Sequence, residues 1–378
     1  MAISLLIAGD VVPNGRTIAL FKNRESNILF GEIKNITSAT DYNIVNLECP
    51  VIAGSPSPIK KHGPALYSSP EVVDVLKDTG FNVLTLANNH IYDQGDQGVN
   101  TTIEYCKSND IRFVGAGSSQ SEARKMLFLN KGSETVAIIN ACEHEFSIAQ
   151  KDHGGANPMD LIQMSEDIAE AKSKADKIIL ILHGGIEHYP YPTPRMKKWY
   201  RHFIDIGADA ILNHHQHCMC GYEIYKGKLI AYGLGNFNFQ SFRHQDQLTP
   251  WNYGYAVRLQ VEKDISFEFV PYIQNGLEAG IHISKQDQFL QQMDILNIPI
   301  GDDYILNQRF ETFVLSREFD TKLQLLPSFL QIKGIRGAIR KGLLGSIFNQ
   351  KDGYRLLNKI QCESHHDTLI KLFETLTK

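Results

Sequence analysis

Seven short apolar runs, each stopping abruptly at polar or glycine residues, constrain this chain more than any other feature. They are "ISLLIAGD", "YNIVNLEC", "FNVLTLANNH", "TVAIINACEH", "KIILILHGG", "ADAILNHHQH" and "KLIAYGLGN", all between residue 3 and about 240. The runs are continuous rather than alternating, the pattern of strands covered on both faces. Helix-like segments separate them. One is Pro70 to Asp78, with Ser69 as N-cap, Pro70 in the first turn and Gly80 as terminator. Others lie in "NPMDLIQMSEDIAEAKSKA" and "TPRMKKWYRHFIDIGA". In open α/β sheets ligands gather at the carboxyl ends of the strands, so the polar residues that end each run are the candidates for chemistry.

Beyond Asn236, "YAVRLQVE" and "ISFEFVPY" alternate, which predicts antiparallel strands that complete or flank the sheet. From about Leu277 the texture turns helical. This places a domain boundary there, with an α/β domain over 1–276 and a mostly helical extension over 277–378. In the extension, "IKGIRGAIRKGLLGSIF" sets Ile332, Ile335, Ile339 and Leu343 on one helical face, while Lys333, Arg336, Arg340 and Lys341 supply charge. Residues 332–347 could make peripheral contact with an anionic membrane. The four glycines fit better with a docked helix whose basic face is solvated.

With 38 Lys and Arg against 42 Asp and Glu, the net charge of -4 gives no whole-protein reason to expect a nucleic-acid partner. The apolar run in "MAISLLIAGDVVPNG" is too short to span a membrane and lacks the basic start and cleavage site of a secretory signal. Six scattered cysteines without such a signal favour reduced thiols. The expected setting is cytoplasmic, at most peripheral to a membrane. The absence of a G-x-x-x-x-G-K motif argues against a nucleotide-hydrolysing P-loop.

The strand ends collect Asp10, Glu48, Asn88, Asn89, His90, Asp93, His183, Glu187, His188, His214, His215, His217 and Asn236. Carboxylates mixed with imidazoles suit Zn, Mn, Fe or Ni, whereas a thiolate-rich set would suggest structural zinc or an iron–sulfur cluster. Cys218 and Cys220 lack C-x2-C spacing and a second pair, and read as a continuation of the strand. A lone aspartate after a strand is more often a turn or cap residue, and the same holds for Glu48. Three histidines in "NHHQH" resist that reading, because every buried imidazole needs partners for its nitrogens. Lys60, Lys61 and His62 in "IKKHGP", and Arg195, could clamp a phosphate or carboxylate. Solvated surface charge explains each of them as well.

Six segments, "GD" at Gly9, "NLECP" at Asn46, "LANNHIYDQG" at Leu86, "HGGIEHY" at His183, "GADAILNHHQH" at Gly207 and "YGLGNF" at Tyr232, resemble in order the motifs of the CapA family. That family is named for capsule and poly-γ-glutamate synthesis proteins and is similar to the calcineurin-like metallophosphoesterases. The resemblance covers about residues 3 to 275. It implies a four-layered α-β-β-α metallophosphoesterase-like sandwich with two divalent metal ions at the strand ends. Asp10 would hold the first metal, Glu48 would bridge both, and Asn89 and His183 would hold the second. The superfamily pattern of two histidines separated by one residue fits His215 and His217, leaving His214 behind them or as an alternative ligand. His90, with Asp93 in the same motif, would protonate the leaving oxygen or stabilise the transition state. Asn88, Glu187, His188 and Asn236 would orient ligands or substrate. Val12 departs from the family, standing where a histidine usually supplies the first metal with a further ligand. Asn213, Gln216 and Gly184 also depart from it.

The expectation is a metal-dependent hydrolase, a phosphomonoesterase or phosphodiesterase, acting on an anionic small molecule or polymer intermediate in the synthesis of a cell-surface polymer. One alternative is the making or release of poly-γ-glutamate or another amide-linked polymer. The membrane anchor common among the named members is expected to be missing here, which counts against that alternative. The other is a non-catalytic, metal-stabilised scaffold recruited to a membrane or biosynthetic complex. Oligomeric state stays open.

Overall fold

The computed structural model describes residues 2–241, 247–318, 321, 337, 353–354, 356–357, 360 and 363–376. The chain begins with β1 (Ile3–Val12), α1 (Thr17–Lys22), α2 (Ser26–Thr37), β2 (Tyr42–Leu47), α3 (Glu71–Asp78), β3 (Val83–Thr85), α4 (Gly95–Ser108) and β4 (Arg112–Val114). The short β5 (Ala116–Gly117) and α5 (Gln120–Ala123) lead into β6 (Leu127–Lys131), β7 (Glu134–Cys142) and β8 (Gly155–Ala156). There follow α6 (Leu161–Lys172), β9 (Lys177–His183), α7 (Pro194–Ile206), β10 (Ala210–His214), β11 (Tyr222–Tyr225), β12 (Lys228–Ala231) and β13 (Asn236–Phe239). The last elements of the main unit are β14 (Tyr253–Val261), β15 (Ile265–Gln274), β16 (Ile281–Ile283), α8 (Gln286–Gly301) and α9 (Asp303–Ser316), which runs past its end.

Two sheets form the middle of this unit. The first has the order β16-β15-β14-β1-β2-β3-β4, and β13 also pairs with β1. The second has the order β11-β12-β10-β9-β7-β6. Ile3, Leu5, Ile7 and Ile44 of the first sheet meet Ile138, Ile179, Ile181 and Leu212 of the second in a fully buried apolar layer. The opposite face of the first sheet is covered by Phe21, Leu29, Phe30, Val72 and Val99, all from helices. Met164, Ile168, Tyr200 and Phe203 of α6 and α7 cover the second sheet. This is the four-layered α-β-β-α sandwich, and both faces of each central strand are buried, as the continuous apolar runs require.

The strand and helix expectations hold with shifts at the ends. "YAVRLQVE" and "ISFEFVPY" form the antiparallel pair β14 and β15. Helix α3 begins at Glu71 with Pro70, not Ser69, in the cap position. Helices α6 and α7 are capped by Asp160 and Thr193, whose side chains accept from the backbone N–H groups of Gln163 and Met196.

The boundary differs. Residues 277 onward still supply β16, which pairs with β15. Phe289 and Met293 of α8 enter the layer between the sheets, and Ile300 joins the layer outside the second sheet. The compact unit therefore runs from Met1 to Asn307, because the apolar stripe of α8 is buried in it; a second unit comprises Gln308–Lys378. Within that second unit lies the helix Glu363–Leu376. The basic segment 332–347, for which the sequence favours a docked helix over peripheral membrane contact, lies outside the described residues apart from Gly337. Among the described residues no helix is long and apolar enough to cross a membrane.

One local irregularity aims the site. The pairing of β1 slips between Ala8 and Asp10 against β2 and between Asp10 and Val11 against β13, and Asp10 faces Asn46 on β2 and Asn236 on β13. Such a bulge re-aims a side chain at the end of a strand. A Cβ at Gly9 would lie 2.0 Å from the carbonyl oxygen of Gly235. Gly9→Ala is therefore expected to cost about 1–3 kcal/mol through overpacking, read as a lower midpoint in urea unfolding. An unchanged midpoint would show that the close approach of the two backbones is not needed.

Candidate metal centre

The carboxyl ends of β1, β2, β9 and β10, with the loops after β3 and β10, bring carboxylates and imidazoles from both sheets to one place. Asp10 Oδ1 accepts from the Asn46 amide at 2.6 Å, and Oδ2 accepts from the backbone N–H of His215 at 3.2 Å. Glu48 follows β2 and is fully buried. Its Oε1 lies 3.5 Å from Nε2 of His183 and 3.5 Å from Nε2 of His217. His183 Nε2 is 3.1 Å from Asn89 Oδ1 and 3.2 Å from His215 Nδ1.

Two groups emerge whose ligand atoms lie within 4.8 Å of one another: Glu48, His183 and His215, and Asp10, Glu48 and His217. They share Glu48, and all their members are buried.

The three histidines of "NHHQH" divide because the backbone turns sharply after β10. His215 and His217 have φ of 91° and 54°, left-handed values that cost side-chain-bearing residues about 1–3 kcal/mol each and cluster at functional sites. His214, still on the strand, reaches across to the first sheet, with Nε2 2.9 Å from the carbonyl oxygen of Ala8. His217 Nδ1 lies 2.9 Å from Asn236 Oδ1, and the Asn236 amide donates to the His217 carbonyl. Asn213, at a position where the family usually has glycine, donates to the carbonyls of Gly184 and Tyr232 and to Gln216 Oε1. It braces the turn that the histidines ride on. Cys218 and Cys220 are buried past the end of β10, and neither belongs to a candidate metal group among the described residues.

Beside the two groups sits a third arrangement. His90 Nδ1 is 2.6 Å from Asp93 Oδ2. Asp93 also accepts from the backbone N–H of Leu66 at 2.6 Å and is ion-paired with Lys61, whose Nζ lies 3.2 Å from the same His90 nitrogen. Asn88 holds the loop, accepting from the backbone N–H of His90 and donating to the Leu47 carbonyl.

Of the expected substrate clamps, Lys61 alone turns inward, with its side chain 4% exposed. Lys60 and His62 are exposed. Arg195 is paired with Glu143 at 2.7 Å and lies over the Trp199 ring. Glu187 and His188 are exposed; the Glu187 charge acts on Glu48 and His217, and His188 lies beside the ring of Trp251, itself 4.9 Å from that of His217. Sequence reasoning missed Trp251 and the loop after β7, where Glu143, Glu145 and Ser147 come to the site. The signal was the polar tail of "TVAIINACEHEFS".

Burial drives the electrostatics. Removal from water, reinforced by the charges of Asp10, Glu187 and Glu145, holds the Glu48 carboxyl well above its usual range. Burial also raises Asp10, against the pull of His214 and the Asn46 hydrogen bond. Burial and neighbouring imidazoles push His183 well below its ordinary value and His217 down to about 3, leaving both neutral. Among the described residues neither Glu48 oxygen has a hydrogen-bond partner. A buried carboxylate without donors, facing neutral imidazole nitrogens, is costly unless a cation binds there. The residues fit divalent metal ions by this test, and the donor set of carboxylate, amide oxygen and imidazole suits borderline metals.

Fold and centre together define an α/β sandwich with a buried carboxylate–imidazole cluster compatible with metal. The family model described as "Bacterial capsule synthesis protein PGA_cap" matches residues 4–241, and the chain belongs to this family. It is 30% identical over 246 residues to "Capsule biosynthesis protein CapA" of Bacillus anthracis, covering 63% of this chain and 60% of that protein. It is 33% identical over 241 residues to "PGA biosynthesis protein CapA" of Bacillus subtilis strain 168, covering 63% of each. The match thus spans less than two-thirds of the length of these curated relatives. Among solved structures, a novel phosphatase from Mycoplasma pneumoniae is similar with a TM-score of 0.47 and 15% identity, over 77% of this chain and 97% of that one.

Proposed function

We propose that this protein is a metal-dependent hydrolase, a phosphomonoesterase or phosphodiesterase, acting on an anionic intermediate in the synthesis of a cell-surface polymer. The observation that carries this reading is Glu48, buried, without a hydrogen-bond partner among the described residues and shared by two ligand groups. In this reading Asp10, Glu48 and His217 hold one divalent ion, and Glu48, Asn89, His183 and His215 hold the other. Two such ions supply a Lewis-acid clamp for phosphoryl oxygens and a nucleophile at neutral pH.

The remaining chemistry belongs to side chains. His90 has Nδ1 committed to Asp93, which fixes the orientation of the ring. The free Nε2 then carries the proton for the departing oxygen. Lys61 offsets the Asp93 charge and reaches the centre from the loop after Glu48, while Lys60 and His62 stand at the rim for a substrate anion. The polymer context is supported by the names of the capsule and PGA relatives.

Metal-free protein dialysed against Mn, Zn, Fe or Ni should take up close to two ions per chain and then hydrolyse members of a phosphate-ester panel. A folded protein that takes up no metal would sink the reading. The PGA name of the Bacillus subtilis relative favours a second reading, in which the substrate carries an amide-linked polymer; amide-bond turnover without any phosphatase activity would establish it over the first.

A further inference from the structure

We propose that Glu145 is a positioning residue for the Glu48–His183–His215 group, holding Asn89 and His215 by their non-ligating ends. This rests on the metal reading above.

The Asn89 amide has two different ends. Its Oδ1 is turned toward His183 Nε2 at 3.1 Å, and its Nδ2 toward Glu145 Oε2 at 3.4 Å. His215 divides the same way: Nδ1 lies 3.2 Å from His183 Nε2, and Nε2 lies 3.7 Å from Glu145 Oε1. One carboxylate thus faces the donor ends of two side chains and turns both acceptor ends inward. An acceptor behind a ligating imidazole selects its tautomer and raises its basicity. An acceptor behind an amide decides whether oxygen or nitrogen faces the metal.

Glu145 is 40% exposed, yet its loop is fixed. Glu143 N–H donates to the His183 carbonyl at 3.0 Å, and Ala149 N–H donates to the Ala156 carbonyl at 2.9 Å. Between them, buried Ser147 donates to the Asn89 carbonyl at 2.7 Å and accepts from the Tyr92 N–H at 3.1 Å. The loop therefore grips Asn89 by its backbone through Ser147 and by its side chain through Glu145.

The test is titration of Co2+ alone into chelator-treated full-length protein, followed by calorimetry and by the visible absorption of the bound ion. Wild type should bind two equivalents. In Glu145→Ala one equivalent should weaken about 10- to 100-fold with an altered spectrum, the other should be retained, and metal-free melting should stay near wild type because the side chain is exposed. Glu145→Gln keeps one acceptor for the Asn89 amide and should fall between. Glu145→Ala binding both equivalents as wild type does, or Glu145→Gln as weak as Glu145→Ala, overturns the inference. A wild type that binds no metal overturns the metal reading itself, which separates the two failures.

Discussion

Glu48→Gln should make the metal-free protein more stable while abolishing its response to metal. The carboxylate is buried without a donor among the described residues, and a neutral amide of the same shape can donate to the imidazole nitrogens 3.5 Å away. Relieving an uncompensated buried charge is worth about 3 kcal/mol, or roughly 5 °C for a unit of this size. The sign with pH follows from the raised folded pKa of Glu48. Stability tied to its protonated form is full below the ordinary carboxylate value and is lost as pH rises through the folded one. The melting gap between Glu48→Gln and wild type, both treated with chelator, should therefore widen as pH rises above about 4.5. Adding metal at about 100 times its dissociation constant should return about 2.7 kcal/mol to wild type for each site filled and nothing to the variant. Equal melting temperatures at every pH would mean that Glu48 carries no such strain.

His90→Ala should lower turnover on a phosphate ester by roughly 100- to 10,000-fold, the usual contribution of a general acid. Metal content should hardly change, since His90 lies in neither ligand group. The loss should appear in kcat, because in the proposed role the ring acts on the departing oxygen rather than on a ground-state anion. Unchanged turnover with full metal would remove His90 from the chemistry. A metal-replete variant without turnover would also count against a purely structural role for the centre.

Much of the centre was legible because chemistry sits where apolar runs stop. Asp10, Glu48, Asn89, His183 and the NHHQH turn are all such stops, and the four layers follow from strands too apolar to face water. What stayed hidden depends on contacts between distant segments. "KKH" offers three candidates, and the hydrogen bonds from Ile59 N–H to the Asp93 carbonyl and from Leu66 N–H to the Asp93 carboxylate hold the loop that turns Lys61 inward. Glu145 sits in a visible polar tail, but its place follows from the docking of Ser147 on Asn89. The boundary near 277 was misplaced because α8 looks like the start of a helical appendage until Phe289 and Met293 are found between the sheets.

The bond from His214 to the Ala8 carbonyl joins the two sheets one residue before the Gly9–Asp10 bulge and involves no metal. The two halves of the carboxylate–imidazole cluster are therefore tied in register by the protein's own hydrogen bonding. Under the proposed metal reading, an ion would be captured by ligands already in place, at a rate set by its entry and dehydration.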